Sequence, residues 1–377
     1  MERTFNDILD KYEWEDVKEK LAKITKDDVV NALRKDKRSL TDFLALISPV
    51  AAPYIETMAA MSSELTAQRF GKNIQLYAPL YLSNECNNIC TYCGFSVDNG
   101  IRRRTLSPPE IMIEAQTVRS MGFQHILLVS GEATQKVGVD YFIKAARQIS
   151  DVFPQISIEV QPLDQDDYHR LSEVNVNAVL VYQETYHRQA YKTYHPKGKK
   201  SNFDYRLQTP DRIGKAGIHK VGLGVLLGLE DWRIDSFFTA LHIEYLQQTY
   251  WRTKYAVSFP RLRPAAGAAK PNFDMSERDL VQLICAYRLW HPDLELSLST
   301  REHEAFRDHA PLFGITSMSA ASKTNPGGYS VEPQSLEQFE ISDERSVEVI
   351  IQKIRDAGYQ PVWKDWQPEY ANAPLHT

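Results

Sequence analysis

From residue 74 onward the chain alternates short β-rich apolar runs with amphipathic helical segments, and this alternation limits its fold more than any other feature. Eight such runs can be read, over 74–82, 125–130, 156–161, 178–182, 220–226, 255–259, 294–299 and 315–319. Strands separated by helices pair in parallel through right-handed crossovers. Eight of them close into an α/β fold of the (β/α)8, TIM-barrel type. The clearest helix start is Ser107-Pro108-Pro109-Glu110, a capping box with proline in its first turn, and Gly122 ends that helix. The first seventy residues read as helical throughout, with apolar positions at helical spacing in Phe5, Ile8, Leu9 and Tyr12 and again in Val29, Val30 and Leu33. A longer helix is expected over about 53–70, with Pro53 near its start and Gly71 as its stop. The expected organisation is an N-terminal helical cover over 1–72, a barrel over 73–330, and a C-terminal helix and tail packed on the barrel over 331–377.

Barrel enzymes carry their active sites at the C-terminal ends of the strands. Read in order, those ends hold a cysteine loop, Ser130-Gly131-Glu132, Glu159-Val160-Gln161, Tyr182-Gln183-Glu184, Gly224 to Asp231, Arg261 and Arg263, Ser299-Thr300-Arg301, and Ser319 to Tyr329. Burying such groups unpaired is costly, so this rim reads as a site, with Arg261 and Arg263 as further candidates to hold an anionic group. Glu159, Gln161, Tyr182 and Glu184 could each instead belong to a layer of core hydrogen bonds, and a strand-end arginine to an outer salt bridge. The Asn325-Pro326-Gly327-Gly328 turn either contacts substrate or only makes a tight loop, and the run from His195 to Lys200 reads as a solvated loop.

Cys86, Cys90 and Cys93 form a CxxxCxxC array that gathers three of the four cysteines into eight residues. Three thiolates grip one metal centre and leave a coordination position open, whereas a closed structural site wants a fourth ligand at matching spacing. None follows nearby, although structural zinc stays open on spacing alone. Cys285 lies in the apolar helical pattern Leu280 to Tyr287 and reads as core packing. Three clustered cysteines cannot pair evenly into disulfides, and the charged start of the chain reads as lacking an export signal, which together point to a reducing cytoplasm. The balance of 44 basic and 49 acidic side chains, a net charge of −5, is too mild to argue for nucleic acid or an anionic membrane as partner.

The CxxxCxxC array, with aromatic Tyr92 before its last cysteine and a strand before its first, resembles that of the radical S-adenosylmethionine superfamily. The resemblance implies that Cys86, Cys90 and Cys93 bind three irons of a [4Fe–4S] cluster. The fourth iron would chelate the amino and carboxylate groups of S-adenosylmethionine, and an external one-electron reductant would release a 5′-deoxyadenosyl radical. Ser130-Gly131-Glu132 is similar to the family's Gly-Gly-Glu turn, which implies that Gly131 and Glu132 receive the methionine amino group. The stretch Tyr205 to Arg212, followed by Ala216-Gly217-Ile218, resembles the biotin-synthase-type segment whose arginine pairs with the methionine carboxylate, here Arg206. Gly224-Val225-Leu226-Leu227-Gly228 resembles the glycine motif that lies against the adenine, and Tyr92 and Glu159 fall on the same cofactor side.

Over essentially its whole length the chain is similar to the aromatic amino acid lyase branch, through Tyr77 to Asn84, Val181 to His187, Ser258 to Pro264, Leu298 to Glu302 and Ser322 to Tyr329. That branch implies cleavage of the Cα–Cβ bond of L-tyrosine to 2-iminoacetate and p-cresol for thiamine thiazole formation. Arg301 would take the substrate carboxylate, with Glu184, Gln161, Tyr182, Ser299 and Ser319 around the substrate, one of the polar groups receiving the phenolic proton. A tryptophan lyase is the sister reading. The tyrosine lyases of hydrogenase assembly carry a cysteine-bearing C-terminal extension, whereas this chain finishes with Val362 to Trp366 and a cysteine-free tail, which favours the thiamine type. Because 2-iminoacetate hydrolyses readily, a complex with thiazole synthase is expected.

Overall fold

The computed structural model describes residues 4–268, 270–333 and 337–365. All eight expected runs form strands: β1 Asn73–Ser83, β2 His125–Ser130, β3 Gln155–Glu159, β4 Val176–Leu180, β5 Lys220–Leu223, β6 Lys254–Ser258, β7 Glu295–Leu298 and β8 Ser317–Ser319. Every pairing is parallel, and β1 bonds to both β8 and β2, so the sheet closes on itself as a (β/α)8 barrel. The period-2 alternation of a strand decides what faces where. In β1, Ile74, Leu76, Ala78, Leu80 and Leu82 join the core shared with the surrounding helices, while Tyr77 and Tyr81 line the barrel lumen.

A ninth strand, β9 Gln360–Val362, was not expected, because three residues with a central proline carry no strand pattern. It exists because β1 is eleven residues long: Ala78 to Ser83 pair with β2, leaving Asn73 to Gln75 free to pair with β9. Behind β9, Asp365 reaches the barrel floor, where it accepts from Gln75 Nε2 at 2.7 Å and Gln155 Nε2 at 2.8 Å. Lys220 Nζ stands 2.6 Å from Glu295 and 3.6 Å from Asp365, so its buried charge is paired. The expected tail from Trp366 onward lies outside the described residues.

The first seventy residues are helical as read, forming helices Phe5–Leu9, Trp14–Ala22, Lys26–Arg34, Leu40–Ile47 and Ile55–Phe70. The last is shorter at its start than expected, because Pro49–Tyr54 forms a 3-10 turn, and it ends at Gly71 with φ 64°. These helices pack on the outer wall rather than the barrel mouth: Phe43 meets Tyr287 and Trp290 at 4.8 and 5.4 Å between ring centres, and Phe5 stacks on His242 at 3.7 Å. The capping box at Ser107 forms as read, with Ser107 N donating to Glu110 at 2.7 Å. Among the described residues no single helix is long and apolar enough to cross a membrane.

Candidate active site

The cysteine loop follows β1 at the C-terminal rim. Its backbone is tied to neighbouring elements, Asn87 N donating to Glu132 O at 2.9 Å, Ile89 N to Lys197 O at 3.0 Å and Thr91 N to Tyr194 O at 3.1 Å. Arg103 staples it from within, donating to the carbonyls of Asn84, Phe95 and Ser96 at 2.6–2.8 Å. Gly131 lies so close beneath that a Cβ there would overlap the Glu85 carbonyl, so the turn after β2 must be glycine for the loop to pass. Glu132 accepts from Asn88 Nδ2 at 2.8 Å. Tyr92 is anchored by its hydroxyl, 2.6 Å from Nε2 of buried His195.

Cys86, Cys90 and Cys93 all line one cavity of about 1480 Å³ including its open mouth. With them stand Tyr92, Gly131, Glu132, Glu159, Gln161, Tyr182, Glu184, Arg206, Ser299, Arg301 and Ser319, so most of the rim residues singled out by sequence converge, while Gly224, Arg261, Arg263 and the 325–328 turn do not. Gly224 is not on the cavity wall; a Cβ there would stand 2.8 Å from Ser258 O and 3.0 Å from the Tyr182 ring, so its smallness serves Tyr182 packing rather than direct contact with a ligand.

Two electrostatic groups divide the cavity. In the first, Glu184 meets Lys200 Nζ at 2.7 Å and an Arg206 nitrogen at 3.3 Å, while Arg206 Nε donates to Tyr182 O at 2.6 Å. Burial alone would raise the Glu184 carboxyl, but the Lys200 and Arg206 cations hold it below its ordinary value. Glu184 carries φ 72°, a left-handed backbone rare for a residue with a Cβ, which turns the chain at the end of β4.

In the second group, Arg301 Nη1 donates to Arg261 O at 3.3 Å and its guanidinium lies 3.4 Å from the Phe339 ring centre. Among the described residues no carboxylate is within ion-pair distance of it, and burial lowers its pKa. Glu159 faces the same space with no hydrogen bond from any described residue, and burial, opposed by Arg301, pushes it up to about 7. Gln161 donates to Val137 O at 2.8 Å while its own Oε1 is buried without a partner. Burial holds the Tyr182 hydroxyl well above its ordinary value. Ser319 Oγ accepts from Thr300 N at 3.2 Å, and Ser299 Oγ from Arg301 N at 3.4 Å.

Two expectations need correction. Arg261 and Arg263 are not free for an anionic ligand, because buried Glu302 takes both: Arg261 Nε at 2.8 Å and Arg263 at 3.2 Å. The His195 to Lys200 run is solvated only in its middle, at Pro196, Lys197 and Lys199; at its ends His195 is buried and Lys200 lines the cavity. The 325–328 turn does not reach the cavity, which favours the tight-loop reading of its two alternatives. It is held by Glu114, whose buried carboxylate accepts from the amides of Tyr329, Ser330 and Val331 at 2.7–2.9 Å. Sequence reasoning also missed Arg103, Lys200, Gln338 and Phe339; the capping-box helix offered one signal, an acidic residue at its inward position 114.

Burial holds the Cys90 and Cys93 thiols above their ordinary value, with Lys200 opposing, so metal binding there displaces protons. The donor set is three thiols on one cavity wall; among the described residues no three His, Cys, Asp or Glu converge on a single ion, which fits thiols that would each take a different iron of a cluster. The orphaned Gln161 oxygen, the unbonded Glu159 and the unpaired Arg301 leave polar valences open for bound molecules with charges of both signs.

A three-thiol centre on a barrel rim, opening onto a cavity with room for further molecules, is how a radical S-adenosylmethionine enzyme is built. Comparison with known proteins agrees: residues 80–241 match the Radical SAM superfamily and residues 258–360 the Biotin and Thiamin Synthesis associated domain. The chain is 48% identical over 365 residues to the 2-iminoacetate synthases of Escherichia coli and Salmonella typhimurium, covering 97% of each chain. It superposes on the crystal structure of HydG, a maturase of the [FeFe]-hydrogenase, with a TM-score of 0.89 at 30% identity, over 93% of this chain and 80% of that one. The chain belongs to the 2-iminoacetate synthase family of that superfamily, as a carbon–carbon lyase of thiamine biosynthesis. Membership implies a [4Fe–4S] cluster and S-adenosylmethionine, which the residues present fit, and removes structural zinc as a reading.

Proposed function

We propose that this enzyme cleaves the Cα–Cβ bond of L-tyrosine to give 2-iminoacetate and p-cresol. The observation that carries this reading is Arg301, a cation without a carboxylate partner among the described residues, in the same cavity as the three thiols. Cys86, Cys90 and Cys93 would hold the cluster, with Glu132 and Arg206 on the amino and carboxylate ends of S-adenosylmethionine. Bound there, cluster and cofactor supply a 5′-deoxyadenosyl radical that can take a hydrogen atom from the substrate.

The protein's own part is to bind, orient and set protonation. Arg301 takes the tyrosine carboxylate through its guanidinium fork. The amino group sits on the same carbon; of the two acids within electrostatic reach of Arg301, Glu184 is taken by Lys200 and Arg206, which leaves Glu159 to meet it. Hydrogen abstraction from nitrogen needs the neutral amine. Glu159, pushed up to about 7, is a carboxylate above that pH and can take the ammonium proton; below it, Glu159 is already protonated. Activity therefore rises with pH through about 7. Glu159→Gln should remove this limb and lower turnover at every pH; an unchanged pH profile would exclude the role. Ser299, Ser319, Gln161 and Tyr182 shape the remaining wall.

A product that hydrolyses readily favours direct transfer to thiazole synthase, and an oxygen-sensitive cluster favours the cytoplasm with its one-electron reductants. The test of the reading is anaerobic incubation of the reconstituted enzyme with reductant and L-tyrosine. Equal amounts of p-cresol, 5′-deoxyadenosine and glyoxylate, the hydrolysis product of the imine, are expected. Indole-derived products from tryptophan with none from tyrosine would overturn it.

A further inference from the structure

The segment 337–343 crosses the barrel mouth, far in sequence from the cysteines, and is bonded to the loop that carries them. Gly94 N donates to Gln338 O at 3.1 Å, and a Cβ on Gly94 would stand 2.6 Å from that oxygen, so the approach needs glycine at 94. From the other side Gln338 N donates to Thr324 O at 3.0 Å, and Thr324 Oγ1 to Phe339 O at 3.2 Å. The Gln338 side chain is held at both ends of its amide. Its oxygen accepts from the Tyr81 hydroxyl at 2.8 Å, and its Nε2 donates to Cys93 Sγ at 3.5 Å. A thiolate ligand only accepts, which fixes the amide with nitrogen toward the sulfur and oxygen toward Tyr81. Cys93 also receives the Phe95 amide, whereas no described side chain donates to Cys86 or Cys90.

We propose that Gln338 is a positioning residue for the cluster, whose N–H···S bond to Cys93 makes one of the three thiolates a weaker donor and raises the reduction potential. Hydrogen bonds to cluster sulfurs are one of the protein's main levers on that potential, and partners outside the ligand set orient the ligands themselves. Tyr81 is the strut that keeps the amide from turning over. The next residue, Phe339, stacks on Arg301, so one short segment touches both the cluster ligand and the substrate arginine. The inference rests on the three cysteines holding the cluster and does not depend on which amino acid is cleaved.

The experiment compares wild type, Gln338→Leu and Gln338→Glu after anaerobic reconstitution, without substrate, by iron content and redox titration monitored by electron paramagnetic resonance. Gln338→Leu removes the donor and should make reduction about tenfold less favourable, a downward shift of about 59 mV for one electron. Gln338→Glu keeps the shape and the Tyr81 bond but replaces the donor with a charge, so its potential should fall at least as far. It is read in place of the leucine variant if that one loads poorly. Tyr81→Phe, which frees the amide to rotate, should shift the potential part of the way. A well-loaded leucine or glutamate variant with the wild-type potential would overturn the proposal. Because wild-type iron content and its spectrum are recorded alongside, absence of a cluster would be seen separately from a failure of the tuning role.

Discussion

Replacing Cys86, Cys90 or Cys93 with alanine should abolish 5′-deoxyadenosine formation, while Cys285→Ala should leave it intact. The three thiols share one cavity wall, and no fourth cysteine is near enough to substitute, so each variant leaves one iron without a protein ligand. Cys285 differs in every relevant respect. It is fully buried in the helix Glu277–Trp290 on the outer wall, donates weakly to Phe313 O at 3.6 Å, and burial pushes its thiol up to about 12. Its replacement removes one small buried atom and should cost about 1 kcal/mol of stability, the scale of deleting a methylene-sized group from a core. Iron content, the visible charge-transfer band and chromatographic assay of deoxyadenosine check the whole set. Deoxyadenosine formation persisting in any of the first three variants would sink the ligand assignment, and its loss in Cys285→Ala would reopen it.

The cysteines and the barrel were legible because local pattern carries them. Strands buried on both faces read as apolar runs, and a three-thiol motif needs no partner elsewhere to be seen. What stayed hidden depends on contacts between distant segments. β9 has no pattern of its own and exists only because β1 overhangs its neighbour. Lys200 sits among Lys197 and Lys199, and such a charge run reads as solvated. Its burial is decided by Asn88, whose Oδ1 accepts from Lys200 N at 3.0 Å, and by Glu184, which offsets the cost of burying the ammonium and raises its pKa. Gln338 lies in a stretch with no periodicity and gains meaning only where it meets Cys93.

The strand-end arginines show the same limit and define the second large effect. Arg261, Arg263 and Arg301 look equivalent in sequence, and one acid separates them: Glu302 holds the first two and leaves the third for a ligand. Arg301→Gln should lower kcat/KM for tyrosine by about 10²- to 10³-fold. That corresponds to about 3–4 kcal/mol, the scale of stranding one partner of a buried charge pair. Arg301→Lys should fall between, since a lysine keeps the charge and loses the fork. The loss should appear mainly in KM if Arg301 holds ground state and transition state alike, and in kcat as well if it places the amino group for abstraction. Slow deoxyadenosine formation without tyrosine should survive, because Glu132, Arg206 and the cysteines are untouched. A further signature separates this role from simple disruption. Arg301 is the group that opposes the burial of Glu159, so removing its charge lets Glu159 rise further and moves the acid limb of the residual activity to higher pH. Arg261→Gln provides the contrast, since it weakens the hold on fully buried Glu302 and should lower thermal stability while leaving the tyrosine KM near wild type. Wild-type tyrosine dependence in Arg301→Gln, or an acid limb that does not move, would show that the substrate carboxylate is held elsewhere.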